Sequence, residues 1–365
     1  MTARTRIYPV FLPHAGCPFQ CVYCNQDRVV SPNPAGSSQK ELLGRGIEDM
    51  RALARQSRLS GMPGELAFYG GTFTSLPEQS LRRILCFALP LIREGIFSGI
   101  RFSTRPDSMT SSTCRILDEY PVQTVELGVQ SMSREVLEKS LRGYGVDAVL
   151  ESASTVKRHG WRLGIQMMAG LPGDSRGTFL DSIAQVVRLK PDFVRIYPTL
   201  VLSGTALAQW YRGGTYRPLK IEEALDWCAA AHQMLTAASI PVARMGLHGD
   251  PELEKPGGIL AGPYHPAFGY LVKCRLWRNR VDELLQAVHP LDGLADLTIR
   301  VPARFISEAA GPGRSNIAWW QQKWGIEKIR LLQDATLEPL RFEPRLEPSP
   351  QFQPAACRNS MHEQS

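Results

Sequence analysis

The sequence predicts an α/β protein built on an open, three-quarter barrel of six β-then-α units, followed by a small α/β extension. Three observations predict it. Short β-rich runs alternate with longer amphipathic runs six times over, which implies right-handed crossovers and a parallel sheet. Three cysteines crowd into eight residues directly after the first β-rich run. The alternation stops near residue 240, short of the eight units a closed barrel needs.

The first strand is expected over 7–12, with the cysteines immediately behind it. Ser37 and Ser38 open a helix to about 59, with Leu42, Ile47, Met50 and Leu53 at helical spacing. A buried strand over 66–69 ends in Gly70-Gly71, and the capping-box pattern from Ser75 to Glu78 starts a helix through 91. Strands over 100–104 and 124–129 follow, with helices over 111–119, 134–139 and 146–159. A fifth strand over 162–168 ends in Gly170-Leu-Pro-Gly173, and Asp174 is placed to cap the helix running to 189. The sixth strand spans 193–197 and its helix 221–239. The core barrel therefore covers residues 5–240. Residues 241–334 form the extension, with strands over 297–301 and 326–332 around a helix over 317–324. Five prolines between 339 and 354 mark 335–365 as a tail without fixed structure.

The chain has 365 residues and a formal net charge of +7. That balance is compatible with a polyanionic partner without requiring one. There is no run of about eighteen apolar residues and no apolar leader, so the reading is cytoplasmic, with no membrane partner. Eight cysteines in such a chain argue against a disulfide framework. Cys86 and Cys228 lie on apolar helix faces and read as core, Cys274 reads as a buried thiol, and Cys357 is given no role.

Cys17-x3-Cys21-x2-Cys24 sets three thiolates on one tight loop at the carboxyl end of a strand, the end where barrel sites are built. Electron-transfer cubanes use four thiolates, so three would leave one iron open to an outside ligand. By counting alone, a zinc site with His14 as fourth ligand stays open, as does a set of thiols with no metal. The downstream motifs favour the iron–sulfur reading.

With Tyr23 as the aromatic residue before the third cysteine, the segment resembles the signature of the radical S-adenosylmethionine (SAM) superfamily. That resemblance implies a [4Fe–4S] cluster held by Cys17, Cys21 and Cys24, with SAM chelating the open iron. One-electron cleavage of SAM would give a 5′-deoxyadenosyl radical that takes hydrogen from a substrate. Gly70, Gly71 and Thr72 correspond to the glycine-rich element that meets the SAM amino group. In Gly128-Val-Gln130-Ser131, Gln130 is implied near the SAM ribose, and Gln166 stands where relatives often carry a ribose-binding Asp. Arg142 matches an arginine near the SAM carboxylate, where a guanidinium can make two charge-assisted bonds. Ser103 and Arg105 stand where coproporphyrinogen oxidases carry an acidic SAM contact, a departure from that pattern. Glu126, on an otherwise apolar strand, requires a partner such as a barrel arginine. Arg195 and Tyr197 either face the substrate or plug the barrel.

The combination of these motifs resembles the radical SAM domain of the Elongator catalytic subunit and its bacterial relatives, without the acetyltransferase domain. It implies SAM, a flavodoxin- or ferredoxin-like electron donor and, as a large candidate substrate, tRNA. A small-molecule oxidoreductase of the coproporphyrinogen-oxidase type and a non-enzymatic, metal-binding RNA reader are the alternatives. Tyr264 and His265, in the Gly-Pro-rich stretch after the barrel, are candidates for substrate contact or proton transfer, set against a plain turn at the barrel mouth.

Overall fold

The computed structural model describes residues 6–18, 20–25, 38–247, 249, 251–287, 296–337 and 345–348. They divide into two compact units between Phe268 and Gly269, later in the chain than the boundary at 240 expected from the sequence.

In the first unit, β1 (Ile7–Phe11), β2 (Glu65–Tyr69), β3 (Gly99–Thr104), β4 (Val122–Gln130), β5 (Arg162–Ala169) and β6 (Phe193–Pro198) pair in chain order, all parallel. Between them run α1 (Gln39–Ser60), α2 (Glu78–Arg93), α3 (Ser111–Leu117), α4 (Arg134–Lys139), α5 (Val146–Arg158) and α6 (Arg176–Arg188). A strand covered on both faces reads as a continuous apolar run. Leu66, Ala67 and Phe68 in β2 and Leu163 and Ile165 in β5 are accordingly buried. After β6 come a two-residue β7 (Val201–Leu202), α7 (Ala206–Arg212) and α8 (Ile221–Ala237). A seventh parallel strand, β8 (Val242–Met245), then joins β6. The sheet is a curled, open half-barrel with β1 and β8 at its two ends. The expected partial barrel is present, and it is one strand longer than the six units read from the sequence.

Two helix starts differ from expectation. Ser38 does cap α1, in a box with Glu41. Ser75, by contrast, donates to the Ser108 hydroxyl at 2.7 Å, and α2 begins at Glu78 after Pro77. Ser175, not Asp174, caps α6. The Asp174 carboxylate instead accepts the backbone N–H groups of Gly170 and Ser175, each at 3.0 Å, closing the 170–174 loop. A short side chain one residue from the cap position bonds whichever orphan N–H lies closest.

The first unit ends with α9 (Pro251–Glu254) and β9 (Ile259–Ala261), the latter antiparallel to β7. The second unit is built on α10 (Phe268–Ala287), left unassigned by the sequence, with β10 (Asp296–Val301), α11 (Ile306–Ala310), α12 (Ser315–Trp324) and β11 (Lys328–Gln333). Trp277, Val281, Ile299, Ile317 and Trp320 lie in its core. A further strand, β12 (Arg345–Pro348), pairs antiparallel with β10. Part of the tail expected to lack structure is therefore laddered, which backbone groups achieve without side-chain periodicity. The rest of it, Cys357 included, lies outside the described residues. Among the described residues, no helix is long and apolar enough to cross a membrane.

Candidate cluster and cofactor site

Parallel pairing brings the carboxyl ends of the strands, and the loops that follow them, to one edge of the sheet. The loop after β1 is strapped to the end of β2 by backbone bonds: Leu12 N–H to Tyr69 O at 2.7 Å, His14 N–H to Gly70 O at 3.0 Å and Thr72 N–H to Ala15 O at 2.8 Å. This close approach is why glycine stands at 71. A Cβ there would lie 2.2 Å from the Ala15 carbonyl oxygen, and backbone on both sides leaves nothing to yield. Gly71→Ala is therefore expected to push the cysteine loop off the sheet. It should cost about 1–3 kcal/mol and lower the iron bound after reconstitution, measured against wild type by denaturant unfolding and iron analysis.

The cysteines sit on that strapped loop. Cys17 N–H donates to His14 O at 3.1 Å and Cys24 N–H to Cys21 O at 3.0 Å, giving two consecutive tight turns. Val22 is held from both sides: its N–H donates to Ser140 O, and its carbonyl accepts the Leu207 N–H. None of the three cysteines is in a disulfide. Among the described residues, no three His, Cys, Asp or Glu side chains are already gathered around one metal position. The donor chemistry nevertheless fits an iron–sulfur cluster. Three thiols share one short loop, and polar groups address two of the sulfurs: the Thr72 hydroxyl lies 3.4 Å from Cys17 Sγ, and Arg142 Nη1 donates to Cys21 Sγ at 3.0 Å. Hydrogen bonds to cluster sulfurs are among the protein's means of setting a cluster potential.

Arg142 is buried, and its N–H groups are committed. Nη1 also meets Tyr23 Oη at 3.1 Å, Nη2 donates to Gly128 O at 2.6 Å, and Nε and Nη2 both reach Tyr144 Oη. The sequence motif implies an arginine near the SAM carboxylate, whereas the fold uses its guanidinium to tie the cysteine loop to β4. Burial pushes the Tyr23 and Tyr144 hydroxyls above the ordinary tyrosine range, so both remain protonated. Arg105 pairs with Asp107, donates to the Arg142 carbonyl and lies over the Tyr144 ring.

Gln130 and Gln166, expected separately at the ribose, are brought together: Gln166 Nε2 donates to Gln130 Oε1 at 3.2 Å. Gln130 takes a left-handed φ of 67° at an irregularity in the β4–β5 register, which ends the regular ladder there. Met167 is fully buried and Met168 nearly so. Tyr264 donates to the Glu254 carboxylate, and His265 Nδ1 accepts the Ala267 N–H at 3.0 Å. These bonds stabilise the turn that carries both side chains.

Below this edge lies a buried ionic quartet that sequence reasoning only half found. Glu126 does have barrel arginines as partners: Arg101 Nε at 2.7 Å and Arg195 Nε at 2.8 Å. Arg101 also binds Glu65 at 3.0 Å, and its guanidinium lies 4.6 Å from the Phe193 ring centroid. The Tyr69 hydroxyl donates to Glu126 at 2.6 Å and accepts from Arg195 at 3.2 Å. Two carboxylates and two guanidiniums balance. The available signal was four strands, each with a charged side chain among apolar neighbours: Glu65, Arg101, Glu126 and Arg195.

The radical SAM superfamily model matches residues 11–186, and the radical SAM C-terminal domain model matches 191–278. The chain belongs to the radical SAM superfamily. It is accordingly an enzyme of that superfamily, whose members use a [4Fe–4S] cluster and SAM. It is 29% identical over 214 residues to an uncharacterised protein of Methanocaldococcus jannaschii, covering 58% of this chain and 61% of that one. It is 30% identical over 135 residues to a tRNA uridine(34) acetyltransferase of the same organism, covering 36% of this chain but a quarter of the relative (25%). The solved structure of archaeal Methanocaldococcus infernus Elp3 with an N-terminal deletion superposes with a TM-score of 0.59 at 21% identity. It covers 75% of this chain and 63% of that one, a likeness of fold.

Proposed function

We propose that Cys17, Cys21 and Cys24 hold the [4Fe–4S] cluster, that SAM binds along the carboxyl edge of β2, β4 and β5, and that the substrate is RNA, with tRNA the first candidate. The observation that carries this reading is the strapped three-cysteine loop, with a threonine hydroxyl and a buried guanidinium directed at two of its sulfurs. When bound, cluster and SAM supply a one-electron cleavage whose product abstracts hydrogen. The chain's own residues do the positioning. Thr72 and Arg142 orient Cys17 and Cys21. The Gln130–Gln166 amide pair offers donors and acceptors suited to ribose hydroxyls. The tRNA assignment draws on the likeness to the tRNA uridine(34) acetyltransferase of M. jannaschii, of which this chain spans a quarter, and on the net charge of +7.

The test is anaerobic reconstitution with iron and sulfide, followed by incubation with SAM and dithionite. The expected product is 5′-deoxyadenosine, formed faster when bulk tRNA is added. Absence of 5′-deoxyadenosine would sink the catalytic reading. Formation that is indifferent to tRNA, with no salt-sensitive tRNA binding, would sink the RNA assignment alone.

A further inference from the structure

A cavity of about 470 Å³ opens between the 170–174 loop and the segment after α7. Its wall carries Lys139, Leu171, Asp174, Trp210, Tyr216 and Arg217. Tyr216 is fixed by its hydroxyl, which donates to Gly170 O at 2.6 Å. Trp210 and Tyr216 pack in one apolar cluster with Val22 and Tyr23, and Leu171 packs with Tyr23 in another. The cavity therefore shares a wall with the cysteine loop. The Asp174 carboxylate is spent on the backbone N–H groups of its own loop. Among the described residues, the ion pairs of the two cations are exposed ones, Lys139 with Glu135 and Arg217 with Glu223. Such pairs contribute little and exchange readily for another anion.

A half-buried indole flanked by two exchangeable cations has the chemistry of a nucleotide site. Bases stack on aromatic faces without regard to sequence, and phosphates take Lys and Arg as partners. We propose that this cavity binds one nucleotide of the RNA substrate, its base against Trp210 and its phosphate between Lys139 and Arg217. The assignment rests on the RNA reading above and extends it by naming where the strand is gripped beside the cysteine loop.

The experiment measures binding of a short single-stranded RNA and, separately, of uridine monophosphate to wild type and two variants. Trp210→Leu keeps an apolar side chain against Val22 while removing the aromatic face, and should weaken RNA binding about tenfold. K139Q/R217Q alters only exposed pairs. It should make the slope of log affinity against log salt shallower by about 0.7, the value for one neutralised phosphate on a single strand. Its melting temperature should stay unchanged. The charge-matched control R58Q/R82Q should leave affinity and slope near wild type. RNA binding that is equal in wild type and both variants would overturn the subsite and leave the RNA reading standing. Trp210-dependent binding of the mononucleotide without RNA binding would keep the site and overturn the RNA reading. Binding of neither ligand overturns both.

Discussion

Replacing Cys17, Cys21 and Cys24 together by alanine is expected to abolish iron retention after anaerobic reconstitution, and 5′-deoxyadenosine formation with it. Iron and sulfide content, visible absorbance and electron paramagnetic resonance of the reduced protein read the loss directly. The other thiols make good controls. Cys86 Sγ lies 3.2 Å from the Tyr120 hydroxyl on a helix face, and Cys228 is wholly buried, its thiol pushed up to about 12. Burial of Cys228 disfavours the thiolate that a metal requires, and Cys86, read from the sequence as core, is exposed on its helix, away from the ligand loop. Cys86→Ala and Cys228→Ala should therefore keep full iron content. A triple variant that still holds wild-type iron would overturn the assignment of the ligand loop. Each single variant should also lose activity outright, since a ligand set of three has no spare member.

Arg101→Met is expected to destabilise the protein by about 3–5 kcal/mol, because it leaves two buried carboxylates facing each other without the cation between them. Glu65 is 1% exposed and Glu126 3%, so water cannot replace the lost partner. Urea unfolding should show the shift in midpoint. Arg82→Met removes a bridge to Glu78 and Glu119 that stands in solvent, and should leave the midpoint near wild type. Equal midpoints for the two variants would show that the quartet is not desolvated as a unit. Replacing Glu65 by Gln in the Arg101→Met background should recover part of the loss, since Glu126 keeps Arg195 and the stranded charge of Glu65 is then gone.

The barrel was legible because parallel strands covered on both faces spell out continuous apolar runs, and the loops behind them carry the glycines. The strand β8 escaped because it is four residues long, at a sheet end, and interrupted by Arg244. The helix α10 escaped because its charged and apolar residues do not separate into a clean stripe in Lys273–Arg280. At the site, the cysteines and the glycine turn could be read from spacing. The role of Arg142 could not: its bond to Cys21 joins residues 121 apart in sequence. A linear motif names a residue type at a position, while its partner is chosen by which strand ends the sheet sets side by side. Glu126 shows the middle case. The need for a counter-charge followed from burial, but the identity of Arg101 as bridge to Glu65 required the register of β2, β3 and β4.

The balanced quartet at the barrel's heart has a consequence for how a polyanion would be met. With matching carboxylates and guanidiniums cancelling at short range, the quartet projects almost no monopole potential, and what remains falls off steeply with distance. Long-range guidance of a nucleic acid must then originate in the cationic side chains at the mouth and on the outer helices. Swapping charges deep inside would alter folding with little change in encounter rate. Neutralising the periphery would slow capture while leaving the fold intact.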